Sequence, residues 1–214
     1  MKTIKISKLF YTASIIIVTF FTLQSCSSDD CEYDTQTKLI EPYTLNISTG
    51  IDNLNNSLPM GTLDPLWSIA LPNPSPSQPK ISDIFTGFWE VTPILTTNAK
   101  WINPDGNSFG FLNTPGFYTF ERSFTVINGT ALLTYNFNAT IDNELTTVEL
   151  INPSTVSSSL LSSPIIPSTF LFNVTNKFNG SVASPQIGVW KIRITGKFYD
   201  TTAIFLVSGY INLT

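Results

Sequence analysis

The sequence predicts an all-β protein, a single antiparallel β-sandwich that follows a signal peptide and a flexible tether. Polar and apolar residues alternate with period two over 117–151, which is typical of half-buried strands. The chain is 42% hydrophobic and only 12% charged, a composition that excludes a disordered polypeptide. No stretch after the signal peptide shows convincing helical periodicity, and 214 residues suffice for one sandwich with a tail.

The central stretch contains two alternating runs joined by Asn128-Gly129. The apolar parity of the first run includes Tyr118, Phe120, Phe124 and Val126, and that of the second includes Ala131, Leu133, Tyr135, Phe137 and Ala139. Asn-Gly tolerates the positive φ angles of a tight hairpin turn. The pattern therefore predicts that these two runs form a hairpin with one apolar face.

Charge and residue usage exclude two classes of function. Lys2, Lys5 and Lys8 precede every acidic residue, so beyond residue 25 there are 8 basic residues against 15 acidic ones, a net charge of −7. A chain this acidic has no electrostatic footprint for nucleic acid. The chain also has no histidine, which excludes the usual serine and cysteine triads.

Residues 1–25 are interpreted as a signal peptide. A basic end precedes an apolar stretch over 15–21, which is shorter than the ~20 residues of a membrane-spanning helix. Leu23-Gln24-Ser25-Cys26 resembles a bacterial lipobox, and the resemblance implies cleavage before Cys26 and lipidation of that residue. The alternative is an ordinary secretory signal, with Cys26 and Cys31 joined in a small disulfide.

The polar residues 26–60 are interpreted as the lipidated cysteine and its tether, with one edge strand predicted over 43–47. Ser27-Ser28-Asp29-Asp30 resembles the acidic export signal of Bacteroidota surface lipoproteins, which implies an outer-membrane protein exposed at the cell surface. The alternative is a solvated acidic linker. The folded domain is predicted to span residues 61–214.

Short runs within this domain are predicted strands, separated by segments rich in proline, glycine and asparagine. They are Leu66–Ala70, Phe88–Val91, Lys100–Ile102, Ser168–Thr175, Val189–Phe198 and Ala203–Leu213. Trp190, Ile192 and Ile194 alternate with polar residues and are predicted core. Ala203–Leu213 is apolar on both parities, as in a central strand.

The order of these landmarks resembles a bacterial extracellular jelly roll of the galactose-binding-domain-like type. The residues that carry the resemblance are Asp64–Ser68, Ala99–Pro104, Pro115–Phe120, Ser123–Val126 and Ala139–Leu145. Asn152-Pro153 departs from the Asn-Gly that is common in such domains. The resemblance implies a fold, and related domains in sugar-processing proteins bind carbohydrate or act as spacers.

Three tryptophans are candidate sugar platforms, because sugar recognition needs exposed aromatic faces beside planar polar groups. They are Trp67, Trp89 and Trp101, which lie at the ends of short predicted strands. The alternative is that they cover the core.

Asp142-Asn143-Glu144 lies where a strand is predicted to leave the sheet, and its oxygens are the type that Ca²⁺ prefers. A capping turn, in which Asp142 and Asn143 bond nearby backbone, is the favoured interpretation. Asp105-Gly106-Asn107 is a weaker calcium candidate, since no bidentate acid follows. We therefore expect no cofactor, with Ca²⁺ as the alternative.

The remaining polar candidates concern charge and modification. Arg122 shares the apolar parity of its strand, which predicts a partly buried side chain paired with Glu144 or Glu149. Glu121, Glu144 and Glu149 are the acids from which a glycosidase pair would be drawn, although nothing in their spacing requires one. Asp200-Thr201-Thr202 resembles the Bacteroidota O-glycosylation motif, with Thr201 as the acceptor.

These features favour a lipid-anchored surface protein with a non-enzymatic binding or adhesion module. The second hypothesis is an accessory carbohydrate-binding lipoprotein of a polysaccharide-uptake system. The expected partners are the membrane, through the anchor, and a glycan or another surface protein. Exposed aromatic side chains beside polar groups would distinguish the carbohydrate hypothesis from a purely adhesive surface.

Overall fold

The computed structural model describes residues 41–71, 78–82, 98–104, 115–164, 176–199 and 204–214. These residues form the strands β1 (Tyr43–Asn46), β2 (Ser68–Leu71), β3 (Lys80–Ile81), β4 (Ile102–Asn103), β5 (Gly116–Val126), β6 (Leu132–Ile141), β7 (Glu144–Ile151), β8 (Ser157–Ser159), β9 (Asn176–Ala183), β10 (Gly188–Phe198) and β11 (Phe205–Leu213). Within the described ranges there is no helix, and so none long and apolar enough to cross a membrane.

The strands form two antiparallel sheets. Among the described residues, the six-stranded sheet has the order β3-β4-β11-β6-β9, with β1 also paired to β11. The five-stranded sheet has the order β2-β5-β10-β7-β8. From β4 to β7, and again from β9 to β11, successive strands alternate between the sheets, as in a jelly roll. The predicted all-β sandwich is confirmed.

The core lies between the two sheets and is built by the predicted alternation. Trp190, Ile192 and Ile194 of β10 face inward and are buried, as the sequence predicts. Phe120 of the five-stranded sheet stacks on Phe205 of the six-stranded sheet, with ring centroids 4.3 Å apart. β11 lies between β6 and β1, which confirms it as a central strand.

The prediction that the two strands beside Asn128-Gly129 pair as a hairpin is wrong. Thr130 N–H does donate to the Ile127 carbonyl at 3.3 Å, and Gly129 has a φ of 91°, so a turn is present. However, β5 pairs with β2 and β10, whereas β6 pairs with β11 and β9. The turn therefore connects the two sheets, because β5 and β6 each pair with strands that are more distant in the sequence.

The folded domain begins earlier than the predicted boundary at Gly61. β1 pairs with β11 in the register Tyr43↔Leu213, which confirms the edge strand expected there. Ile47 and Ile51 are fully buried, and Ile47 N–H donates to the Gly209 carbonyl at 3.0 Å. Residues 43–60, predicted as tether, are therefore held to the sandwich by backbone hydrogen bonds and apolar burial.

Some predictions concern residues that the structure does not describe. The signal peptide, Cys26 and the acidic segment after it lie outside the described residues, as do the strands predicted over Phe88–Val91 and Ser168–Thr175. The calcium candidate Asp105-Gly106-Asn107 and the glycosylation candidate Thr201 also lie outside them.

Candidate functional site

Two exposed aromatic side chains lie at one end of the five-stranded sheet, on its outer face. Phe117 of β5 is opposite Lys197 of β10, and Tyr199 directly follows β10. Their sequence neighbours Tyr118 and Phe198 point to the core, where their rings meet edge to face at 5.6 Å. Because side chains alternate along a strand, anchoring Tyr118 and Phe198 inside directs Phe117 and Lys197 to the outside.

Phe117, Lys197 and Tyr199, together with Glu144, form what we call the aromatic–lysine cluster. Lys197 Nζ lies 5.4 Å from the ring centroid of Phe117 and 4.7 Å from that of Tyr199, within cation–π range of both. Phe117 is 53% exposed and Tyr199 is 52% exposed. Since one ammonium group covers at most one face of each ring, a large aromatic area remains open to a ligand.

The corner at Asp142-Asn143-Glu144 holds Tyr199 in place. Asn143 adopts a φ of 77°, its side-chain oxygen accepts the Tyr199 backbone N–H at 2.8 Å, and its amide donates to Asp142 Oδ1 at 3.3 Å. The Tyr199 hydroxyl donates to Glu144 Oε2. That hydrogen bond, followed by desolvation and the charge of Glu144, raises the pKa of Tyr199. The corner thus orients an exposed phenol ring.

These contacts join the corner to Tyr199 and not to the backbone of the turn itself, so the capping turn that the sequence favours stays a prediction. The oxygens that calcium would require at Asn143 and Glu144 accept hydrogen bonds from Tyr199 instead. In the described part of the chain, no group of three or more acidic or cysteine side chains is placed to hold a metal ion. Calcium binding at Asp142-Asn143-Glu144 stays a prediction, and the described residues offer no cluster of acids that supports it.

The tryptophan prediction is wrong for Trp67. This side chain is 1% exposed, meets Phe205 edge to face at 5.4 Å, and donates from Nε1 to the Ile47 carbonyl at 3.1 Å. A ring enclosed in this way cannot present a face to a sugar. Trp101 is partly buried next to β4 and remains a candidate, while Trp89 lies outside the described residues.

The three candidate catalytic glutamates are engaged separately. Glu121 accepts hydrogen bonds from Lys191 Nζ and Arg193 Nε, both at 2.8 Å. Burial alone would raise the pKa of Glu121, but the hydrogen bonds and charges of these two cations outweigh it and lower that pKa overall. Glu149 accepts a hydrogen bond from Ser157, and Glu144 from Tyr199. Each carboxylate therefore serves a local cross-strand contact.

Arg122 is buried, as its parity predicts, but the partner expected for it is wrong. It is 7% exposed, and the acid whose charge acts on it is Asp64, not Glu144 or Glu149. Burial lowers the pKa of Arg122, and the charge of Asp64 offsets part of that effect. Asp64 stands 58 positions earlier in the chain, in a segment whose Trp67 packs against Phe205 of β11.

Sequence reasoning missed the two aromatic residues of the cluster, although a signal was present for one. Phe117 shares its parity with Thr119, Glu121 and Ser123, so it is an apolar ring on the polar face of its strand. Tyr199 lies beyond the last alternating residue, and only the hydrogen bonds that it donates to Asn143 and Glu144 reveal its position.

Comparison with known proteins shows no family model and no curated protein that matches the chain. Solved structures with a similar arrangement include a carbohydrate binding module of family 29, at a TM-score of 0.37 and 12% identity, covering 82% of this chain and 90% of that one. A module described as CBM4 aligns at a TM-score of 0.38 and 14% identity, covering 82% and 96%. A family 29 module complexed with mannohexaose aligns at 0.38 and 12%, covering 82% and 94%. At these TM-scores the likeness says nothing about the ligand of this chain.

Proposed function

We propose that the chain is a lipid-anchored surface protein whose β-sandwich is a non-enzymatic carbohydrate-binding module. The observation that carries the proposal is the aromatic–lysine cluster, in which two half-exposed rings lie beside a cation and a carboxylate. Exposed apolar groups rimmed by polar ones are typical of interaction sites.

The chemistry of the cluster suits a sugar ring. A pyranose has an apolar face of C–H groups and a rim of hydroxyls, so it needs an aromatic surface and polar groups at the edge of that surface. The rings of Phe117 and Tyr199 provide the surface, while Glu144 and Lys197 provide an acceptor and a donor. The hydrogen bonds that Tyr199 donates to Asn143 and Glu144 fix its ring before a ligand arrives, which reduces the entropy lost on binding.

A binding role is favoured over hydrolysis by how the acids are used. Glycoside hydrolysis requires two carboxyl groups on either side of one glycosidic bond. Here Glu121 is committed to Lys191 and Arg193, and Glu144 is directed at a tyrosine of the fold itself. The chain also contains no histidine that could act as a general base.

The binding prediction is tested with the mature chain carrying Cys26→Ser, first on a glycan array and then by titration calorimetry with the glycan bound best. The double variant Phe117→Ala/Tyr199→Ala should bind at least about fivefold more weakly, because each lost stacking contact is worth ~0.5–1.5 kcal/mol. Tyr43→Ala is the matched control, since Tyr43 is 55% exposed but lies on the other sheet. Binding that survives the double variant, or an array without any hit, would refute the proposal.

The anchoring prediction concerns Cys26, the residue that the lipobox resemblance selects. Cys26→Ala should release the protein from the membrane fraction or leave its signal peptide uncleaved, because several acyl chains on one residue are needed for stable attachment. Cys31→Ala is the control and should leave both properties unchanged. If fractionation and mass spectrometry show the same attachment and the same amino terminus for Cys26→Ala, the anchor is elsewhere.

A further inference from the structure

We infer that the aromatic–lysine cluster selects glycans carrying an anionic substituent, a carboxylate or a sulfate, and that Lys197 is the residue that recognises it. This inference rests on the proposed carbohydrate-binding function and specifies the ligand class of the same site. It follows from how the charged groups on the outer face of the five-stranded sheet are paired.

The cations of this face are used in two different ways. Lys191 and Arg193 share the carboxylate of Glu121, at 2.8 Å and 2.6 Å, so each is held in an ion pair and the three side chains together keep one positive charge. Among the described residues, Lys197 forms no ion pair, and its contacts are the ring faces of Phe117 and Tyr199. Lys197 is therefore a cation of this face whose charge no described carboxylate neutralises.

The acid nearest to Lys197 in the sheet register forms no ion pair with it. Glu144 of β7 is the cross-strand partner of Lys197, a position from which opposite charges usually interact. Its Oε2 instead accepts the hydroxyl of Tyr199, and the distance from Lys197 Nζ does not reach that of an ion pair. The structure thus keeps the lysine and the glutamate in one cluster without letting them pair.

The two rings also fix where the ammonium group lies. An isolated lysine on a strand loses rotamer entropy when it binds a ligand, and this loss weakens exposed ion pairs. Attraction to two aromatic faces at 5.4 Å and 4.7 Å already restricts Lys197. A sugar that packs against the exposed part of either ring lies within reach of an ammonium group 4.7 Å or 5.4 Å from the ring centroid, so a substituent of its rim can meet Nζ. An anionic substituent would gain a charged contact there that a hydroxyl does not.

Glu144 provides a second charge with the opposite expected effect. Its carboxylate lies in the same cluster and repels an anionic ligand, whereas the neutral amide of Glu144→Gln would still accept the Tyr199 hydroxyl. Lys197→Gln and Glu144→Gln should therefore move the affinity for an anionic glycan in opposite directions. A purely structural role of either residue would not produce this pattern.

The test is a glycan array composed of matched pairs, in which each uronate-bearing or sulfated oligosaccharide is printed beside its methyl-esterified or desulfated form. The mature chain with Cys26→Ser should bind the charged member of a pair about threefold more tightly, the scale of one exposed charge contact. Lys197→Gln should remove that preference, and Lys197→Arg should retain it, because only the arginine keeps the positive charge. Glu144→Gln should increase the preference, and Lys177→Gln, on β9 of the other sheet, should not alter it.

The possible outcomes separate the inference from the function on which it rests. Equal binding to both members of every pair, or a preference that survives Lys197→Gln, would overturn the anionic specificity and leave carbohydrate binding intact. An array without any hit would overturn the proposed function, and the inference with it. A preference confined to uronates or to sulfates would support the inference and identify which anion is recognised.

Discussion

Replacing Asp64 by Ala should lower the free energy of unfolding by ~3–5 kcal/mol, because it removes a buried carboxylate that accepts three backbone hydrogen bonds and whose charge acts on buried Arg122. Asp64 is fully buried and accepts the backbone N–H groups of Gly50, Leu66 and Trp67 at 2.7, 2.8 and 3.1 Å. The substitution leaves those donors without their acceptor, and it leaves Arg122 buried without a compensating charge. Against a typical total of ~5–15 kcal/mol, this is a large loss.

Asp52 offers a matched control for this substitution. It also accepts three hydrogen bonds, from the backbone N–H groups of Leu54 and Asn56 and from the Asn56 side chain, but in an exposed loop without a buried cation. Asp52→Ala should therefore cost much less in chemical denaturation. In a double-mutant cycle, Asp64→Asn and Arg122→Met should together cost less than the sum of their single effects. Equal losses for Asp64→Ala and Asp52→Ala would show that the buried charges are not coupled.

The pH dependence of stability supplies an independent check on Asp64. Burial raises the pKa of Asp64 above its ordinary value of 3.8, and the backbone hydrogen bonds and Arg122 reverse only part of that rise. The folded protein therefore holds this proton to higher pH than the unfolded chain does. As a consequence, the stability of the wild type relative to Asp64→Asn should fall as the pH rises from 3.8 through the raised pKa of Asp64 in the folded protein.

Replacing Trp67 by Ala should cost ~3–5 kcal/mol, through the cavity left by the largest side chain in the contact between the 61–67 segment and β11. The indole meets Phe205 edge to face and donates to the Ile47 carbonyl, so it connects the amino-terminal segment to the core. Trp67→Phe should recover most of the apolar burial while leaving that carbonyl without its donor. Denaturant melts of the two variants and of Tyr43→Ala would measure this. A loss below ~1 kcal/mol for Trp67→Ala would show that this residue is not part of the core.

The faces of the strands could be predicted from the sequence, because a two-residue period depends only on which side of a strand is buried. Trp190 and Ile192 fell on the core face for this reason. The partner of each strand could not be predicted in the same way. β5 and β6 each have one apolar face and a turn between them, and that pattern fits a hairpin as well as a crossing between sheets. The choice depends on β10 and β11, which lie more than 50 residues later in the chain.

The start of the domain and the partner of Arg122 were missed for a related reason. Residues 47–51 have no period, yet two isoleucines and a few backbone hydrogen bonds to β11 are enough to hold them on the sandwich. Asp64 was part of a recognised landmark, but its proximity to Arg122 results from the path of the 61–67 segment. The aromatic–lysine cluster likewise combines residues from β5, β7 and the end of β10, which only the sheet register brings together.

The claim that the aromatic–lysine cluster binds carbohydrate can be tested by following a glycan titration residue by residue. The ¹⁵N-labelled mature chain with Cys26→Ser would be titrated with the glycan bound best on the array, and amide shifts would be recorded by NMR. The largest shifts should occur at Phe117, Lys197, Tyr199 and Glu144, with little change at Asn179 on β9 of the other sheet. Shifts centred on β9, or saturable binding that leaves those four amides unmoved, would contradict the claim.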